Sequence, residues 1–232
     1  MSRPVIANIR RGDPEGNVWD LNDLENDEFF ALNDDTSPDS DVSAFDSLIA
    51  QLHLDGTGLT AEDLDAYEYA FFGTNRHDTI TGVAELEGDT EVDTEVSGVI
   101  ASGNGHDEIA AGSGDHVIFA GNGRDTVRGG GGEDIIFGEN GKDELNGNGG
   151  EDEIHGGKGK DTVNGGLGDD VLTGNNGVDV LTGGEGADDL TGGNGGDEFH
   201  WNTVEDFGDV VNDFTAGSDK LVFDVAAARS FV

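Results

Sequence analysis

The chain has 232 residues, 40 of them glycine and none cysteine, with 51 Asp+Glu against 11 Lys+Arg and a formal charge of −40. A chain this acidic repels nucleic acid and anionic membranes, so no nucleic acid is expected as a partner, and without cysteine neither a disulfide framework nor a thiolate metal site can form. No apolar run approaches the about 18 residues of a spanning helix, so no membrane insertion is expected.

The opening "MSRPVIANIRRGDPEG" has basic residues but no apolar stretch behind them, and a cleavable N-terminal signal is not expected. Residues 1–72 form an acidic N-terminal region. Its stretch "WDLNDLENDEFFALNDDTSPDSD" (19–41) reads as a solvated, partly disordered segment. The alternative is an attachment arm that uses Trp19, Leu21, Leu24, Phe29 and Phe30. Two short helices are predicted next. "SAFDSLIAQLHL" (43–54) opens on Ser43 with Asp46 three residues on, like a capping box; "TAEDLDAYEYAFFG" (60–73) opens on Thr60 with Asp63 and stops at Gly73. Leu64, Tyr67 and Phe71 would share one face of the second helix. Between them "HLDGTGLTAEDL" (53–64) hints at an EF-hand loop, but Leu64 falls where the bidentate acid should stand, and a structural turn is expected.

Residues 73–200 are a repeat region. "GTNRHDTIT" (73–81) places Asp78 and Ile80 at the sixth and eighth positions, and residues 82–101 break the phase with strands and an altered turn. From Ser102 eleven units of nine residues follow without a slip. The fourth position is glycine in all eleven and the eighth is apolar in all eleven, from Ile109 to Phe199. The sixth is aspartate in ten, with His116 the exception.

One apolar residue in nine cannot build a helical stripe. It can serve a short strand with one inward side chain, followed by a turn whose glycines adopt conformations closed to other residues. Two such units make a coil of eighteen residues, with two thin sheets facing each other across the eighth-position side chains. Coils stacked about 4.8 Å apart set each aspartate over the one a coil away. One column then holds Asp107, Asp125, Asp143, Asp161, Asp179 and Asp197, and the other Asp134, Asp152, Asp170 and Asp188, with His116 where a further aspartate was due. Such columns are unfavourable without counter-ions. A hard divalent cation between coils, taking carboxylate and turn carbonyl oxygens, resolves the conflict, and calcium suits this flexible oxygen set better than magnesium. These ten aspartates are the candidate metal ligands. Their neighbour pairs correspond to about eight or nine Ca²⁺ ions, which would leave the chain near −22.

The units resemble the RTX (repeat-in-toxin) nonapeptide G-G-x-G-x-D-x-U-x. "GGKGKDTVN" and "GGEGADDLT" match every defined position; "GENGKDELN", "GNGGEDEIH" and "GNNGVDVLT" replace the second glycine, and the units spanning 102–128 begin with Ser or Ala. The tail "DVVNDFTAGSDKLVFD" (209–224) is similar to the segment that caps such arrays in secreted proteases. The resemblance implies an all-β fold, a right-handed parallel β-roll with Ca²⁺ between adjacent turns on both edges. It also implies export through a type I secretion system by an uncleaved C-terminal signal within residues 201–232, whose end "AARSFV" is apolar.

Catalytic signatures are not found. "HDEIA" at His106 belongs to a repeat turn and is not a zinc helix, and no nucleophile elbow or phosphate loop occurs. His77, His106, His116, His155 and His200 are expected to be exposed residues of the roll. Thr173, Thr182 and Thr191 share the ninth position but should divide between opposite sheets. The chain is expected to be a non-enzymatic, calcium-binding extracellular protein that folds on meeting Ca²⁺, in a surface-layer, matrix or adhesive role. Cell-surface polysaccharide or self-association would be its partner. The alternative is a non-catalytic targeting or folding module of a secreted enzyme such as an alginate epimerase, lipase or protease. Direct sugar binding would need an exposed aromatic, for which only Trp201 and Phe199 stand in the array.

Overall fold

The computed structural model describes residues 5–7, 17–20, 69–72, 77–81, 97–202 and 208–223. Each nine-residue unit folds as a strand and a turn. In Thr162–Leu167 the side chains alternate, with Thr162 exposed, Val163 buried, Asn164 half-buried and Gly165 buried. Every eighth-position residue from Ile109 to Phe199 is 0% exposed, so one apolar side chain per unit supplies the core.

Successive strands alternate between two parallel sheets. The first runs Val5–Ala7, Tyr69–Phe72, Gly98–Ala101, His116–Phe119, Ile135–Phe137, Glu153–Gly159, Val171–Gly177, Asp189–Thr191 and Val210–Val211. The second runs Asn17–Asp20, Asp78–Thr81, Glu108–Gly112, Thr126–Gly130, Glu144–Gly149, Thr162–Leu167, Val180–Glu185, Glu198–Trp201 and Lys220–Phe223. Ile154 pairs with Leu172 and Leu145 with Val163, the eighteen-residue step expected of two units per coil. The result is the all-β parallel solenoid expected of the repeat, and among the described residues there is no helix.

The sheets extend beyond the regular array at both ends. Tyr69–Phe72, expected as the end of the second helix, is a strand, and Phe71 stands in register with Ile100. Pairing with Val5–Ala7 on one side and Gly98–Ala101 on the other satisfies both sides of that backbone, and this outweighs a local helical pattern only a few residues long. Val5–Ala7 and Asn17–Asp20 also join the sheets, which places Trp19 in register with Ile80. The helix expected over 43–54, the rest of 60–73, the EF-hand-like stretch and most of 19–41 lie outside the described residues, as do 82–96. At the far end Leu190 pairs with Val211 and Phe199 with Leu221. The sheets therefore continue through residues 209–223, although the spacing there has lengthened beyond eighteen.

The second position of the unit takes a left-handed backbone. Gly157 has φ 102°, and a methyl group there would collide with the Glu139 carbonyl of the coil below. Where this glycine is replaced, Glu139, Asn148 and Asn175 hold the same conformation with φ of 67°, 77° and 70°. Asparagine tolerates it, whereas glutamate is strained. Glu139→Gly should therefore stabilise the folded chain by about 1 kcal/mol, measured as a higher denaturant midpoint with an unchanged slope.

Candidate metal centre

Each sixth-position aspartate ends a turn and begins a strand, so the sheet ladder fixes its main chain. The carbonyl of Asp125 accepts from the N–H of Glu144 at 2.9 Å, and that of Asp143 from Thr162 at 2.8 Å. The N–H of Asp125 in turn donates to Oδ1 of Asp143 at 2.9 Å, and that of Asp152 to Oδ1 of Asp170 at 2.8 Å. The same bond recurs for every consecutive pair from Asp107 to Asp197 and from His116 to Asp188. The ten candidate aspartates thus stand in the two expected columns. One column follows the turns from the first sheet to the second, and the other follows the return turns. All ten are buried, none more than 2% exposed.

Burial leaves the second oxygen of these carboxylates in difficulty. Oδ2 of Asp125, Asp134, Asp143, Asp152, Asp161, Asp170, Asp179 and Asp197 is buried without a hydrogen-bond partner. A buried anionic oxygen in that position costs several kcal/mol unless a cation meets it. The space for one is built into the turn. A methyl group on Gly147 would collide with Oδ2 of Asp152, and one on Gly165 with Oδ2 of Asp170. The carbonyls of Gly165 and Gly183, one coil on, lie 2.8 and 2.7 Å from the same two points. Carboxylate and main-chain oxygen therefore line one small cradle that only glycine leaves open. In the units led by Ser102, Ala111 and Ala120 a side chain already stands there, and the Ser102 hydroxyl donates to the Ala120 carbonyl at 2.6 Å. Among the described residues no three acidic, imidazole or thiol side chains converge. A cation in these cradles must combine aspartate with backbone carbonyls, a donor set of hard oxygens that suits calcium.

The electrostatics agree. Burial pushes the carboxyls of Asp125 and Asp152 up to about 6 and those of Asp143, Asp170 and Asp179 to about 7. The amide bond from the preceding coil opposes the shift, and the charge of neighbouring aspartates adds to it. Asp134, Asp161 and Asp197 are raised by burial in the same way.

Two members of the columns were hidden in the sequence. Oδ1 of Asp209 accepts from the N–H of Asp188 at 3.3 Å, and Oδ1 of Asp219 from the N–H of Asp197 at 3.1 Å. Burial raises Asp209 to about 6, opposed by the Asp188 amide and by a hydrogen bond with the Trp201 side chain. Both begin the D-x-U signature, as "DVV" and "DKL", but lengthened loops take them out of phase. His116 departs from the exposed position expected of it. It occupies an aspartate's backbone position and is 0% exposed, its Nδ1 lying 3.1 Å from Asp134 Oδ1. His77 and His106 are exposed, while His155 and His200 are half-buried. Thr173 pairs with Thr191 on one sheet and Thr182 lies on the other, as expected. Phe199 is core and Trp201 is 8% exposed and stacked on Phe223, so neither offers a sugar platform.

The sequence model of the RTX calcium-binding nonapeptide repeat matches the chain four times, over residues 101–136, 117–145, 137–172 and 164–199. Comparison with curated proteins and with solved structures finds no match.

Carboxyls raised on folding stabilise the fold fully below their ordinary value of 3.8 and lose that contribution as pH rises through the raised values. Without calcium, the strand signal in circular dichroism should fall as pH rises from about 4 through about 7. With calcium in excess the trend should reverse, because the ligands must be deprotonated. Asp161→Asn, shared by two neighbour pairs with open cradles, should remove about two bound ions by equilibrium dialysis, whereas Asp107→Asn should leave the count unchanged.

Proposed function

We propose that this chain, whose residues 101–199 are RTX calcium-binding nonapeptide repeats, is a non-catalytic extracellular protein that folds when it meets calcium. In this reading it leaves the cell unfolded through a type I secretion system and serves a surface-layer, matrix or adhesive role, with residues 1–72 as its attachment region. The observation that carries the proposal is the pair of buried aspartate columns, each with a row of Oδ2 atoms that have no donor within the protein.

When bound, calcium supplies positive charge and open coordination positions to oxygens that hydrogen bonds cannot reach. The chain's own residues do the rest. Glycine at the first position keeps each cradle open, Oδ1 of each aspartate ties its coil to the one before, and Oδ2 faces the cradle. The apolar core adds one side chain per nine residues, worth roughly 1.5–3 kcal/mol each, against a backbone ordering cost of about 1–2 kcal/mol per residue. Burial alone therefore does not hold the coils, and metal binding and folding become a single equilibrium. In a calcium-poor cytosol the carboxylates repel and the chain stays open for export. Outside, the same acids become ligands.

The cradles led by Gly129, Gly138, Gly147, Gly156, Gly165, Gly174, Gly183 and Gly192, with Asp209 and Asp219 completing the last pair of each column, correspond to about eight ions. Calcium added to chelator-treated protein should produce the strand signal in one cooperative step, with about eight ions taken up over the same range. An unchanged strand signal after chelation at neutral pH would overturn the proposal.

A further inference from the structure

The two turn edges of the roll carry opposite charge outside the aspartate columns. On the edge with Asp107 to Asp197, the fifth position of successive units is His106, Arg124, Lys142 and Lys160, all exposed, with Lys158 beside them. On the opposite edge the fifth position is Asp115, Glu133, Glu151 and Asp169, likewise exposed. The second stripe has no basic residue between Ala111 and Ala187 in its turns, and the first has one acid, the half-buried Glu139. Arg124, Lys142, Lys158 and Lys160 are four of only 11 Lys+Arg in a chain with 51 Asp+Glu, so their gathering on one edge is not a consequence of composition.

Both stripes are held in step by the fold. Gly123 pairs with Gly141 and Gly141 with Gly159, which stacks the residues that follow them one coil apart. On the other edge Glu133 N–H donates to Asp115 Oδ1 at 2.7 Å, and Asn148 pairs with Gly166 and Gly166 with Gly184. Each acid lies nine residues, half a coil, after a base. The stripes therefore cover the same four coils on opposite sides, with the same pitch of about 4.8 Å. A divalent ion bound between coils adds equally to both edges, so the contrast between them does not depend on the metal.

We propose that the basic edge of one roll docks against the acidic edge of a second copy of this chain, with the roll axes side by side. Translation with an axial offset of half a coil, about 2.4 Å, brings Lys142 of one copy opposite Glu151 of the next. Such a contact is heterologous, so it leaves both outer edges available and extends into a row. It rests on the reading of the chain as a surface-layer or matrix protein and gives that reading its lateral contact. The partner is another copy, because the pitch, extent and sign of the two stripes match each other. Individual exposed ion pairs are weak and screened by salt, and the row gains from their repetition.

Sedimentation velocity of the full calcium-loaded chain tests this. Association should appear at low ionic strength and reverse in high salt. Lys142→Glu with Lys160→Glu should weaken it roughly tenfold, as should Glu133→Lys with Glu151→Lys. Mixing the two double variants should restore association in pairs, since the untouched acidic edge of the first then meets the untouched basic edge of the second. Calcium-induced strand signal in each variant verifies folding. A folded chain that stays monomeric at low salt, or that associates equally after charge reversal, overturns the inference and leaves the calcium reading intact. Retention of a folded monomer on a polyanion column through Lys142 and Lys160 would also overturn it, assigning the stripe to an anionic polymer. Failure to fold with calcium would instead sink the functional proposal itself.

Discussion

The structure depends on how each turn aspartate is shared between coils. One oxygen accepts the amide of the coil before, and the other is turned into a cradle beside a glycine. The first bond fixes the stacking, and the second position creates a charge that the protein does not neutralise. Burial holds these groups well above their ordinary range when no ion is bound. A fold that buries one apolar side chain per unit, and a carboxylate in nearly every unit, sets charge against burial, and this is the conflict that the proposed calcium binding would relieve.

The glycine content follows from the same demand. Three positions of the turn favour glycine, for different reasons. The first borders the cradle, the second requires the left-handed backbone, and at the fourth, where a methyl group on Gly159 would collide with the Gly141 carbonyl of the coil below, no unit carries a side chain. Glu139, Asn148 and Asn175 show that the second position bends to sequence, because the backbone conformation persists without glycine. Ser102, Ala111 and Ala120 show that the first can be filled too, but at the expense of the space beside the aspartate. The early units therefore keep the coil while giving up the cradle.

Much of this was legible in the residues. The nine-residue period gave the strand and turn, its doubling gave two sheets, and the columns of Asp107 to Asp197 and Asp134 to Asp188 followed from stacking. What escaped was set by contacts distant in the chain. Phe71 fitted a helical face with Leu64 and Tyr67, but its register with Ile100 is a pairing across nearly thirty residues that no local pattern reveals. Asp209 and Asp219 keep the local D-x-U signature and were obscured only by loops that lengthen the coil. His116 is buried because position in the coil, rather than side-chain chemistry, decides what faces inward.

The bonds along each column all point one way. In every pair a main-chain N–H donates to the carboxylate of the coil that follows it, never of the coil that precedes it. Order therefore has a direction: a coil is completed by its C-terminal neighbour. The last regular members, Asp188 and Asp197, are completed by Asp209 and Asp219 from the irregular segment beyond the array. That segment therefore supplies the closing carboxylate of both columns, and without it the Asp188 and Asp197 amides would lose the acceptors that every earlier pair possesses.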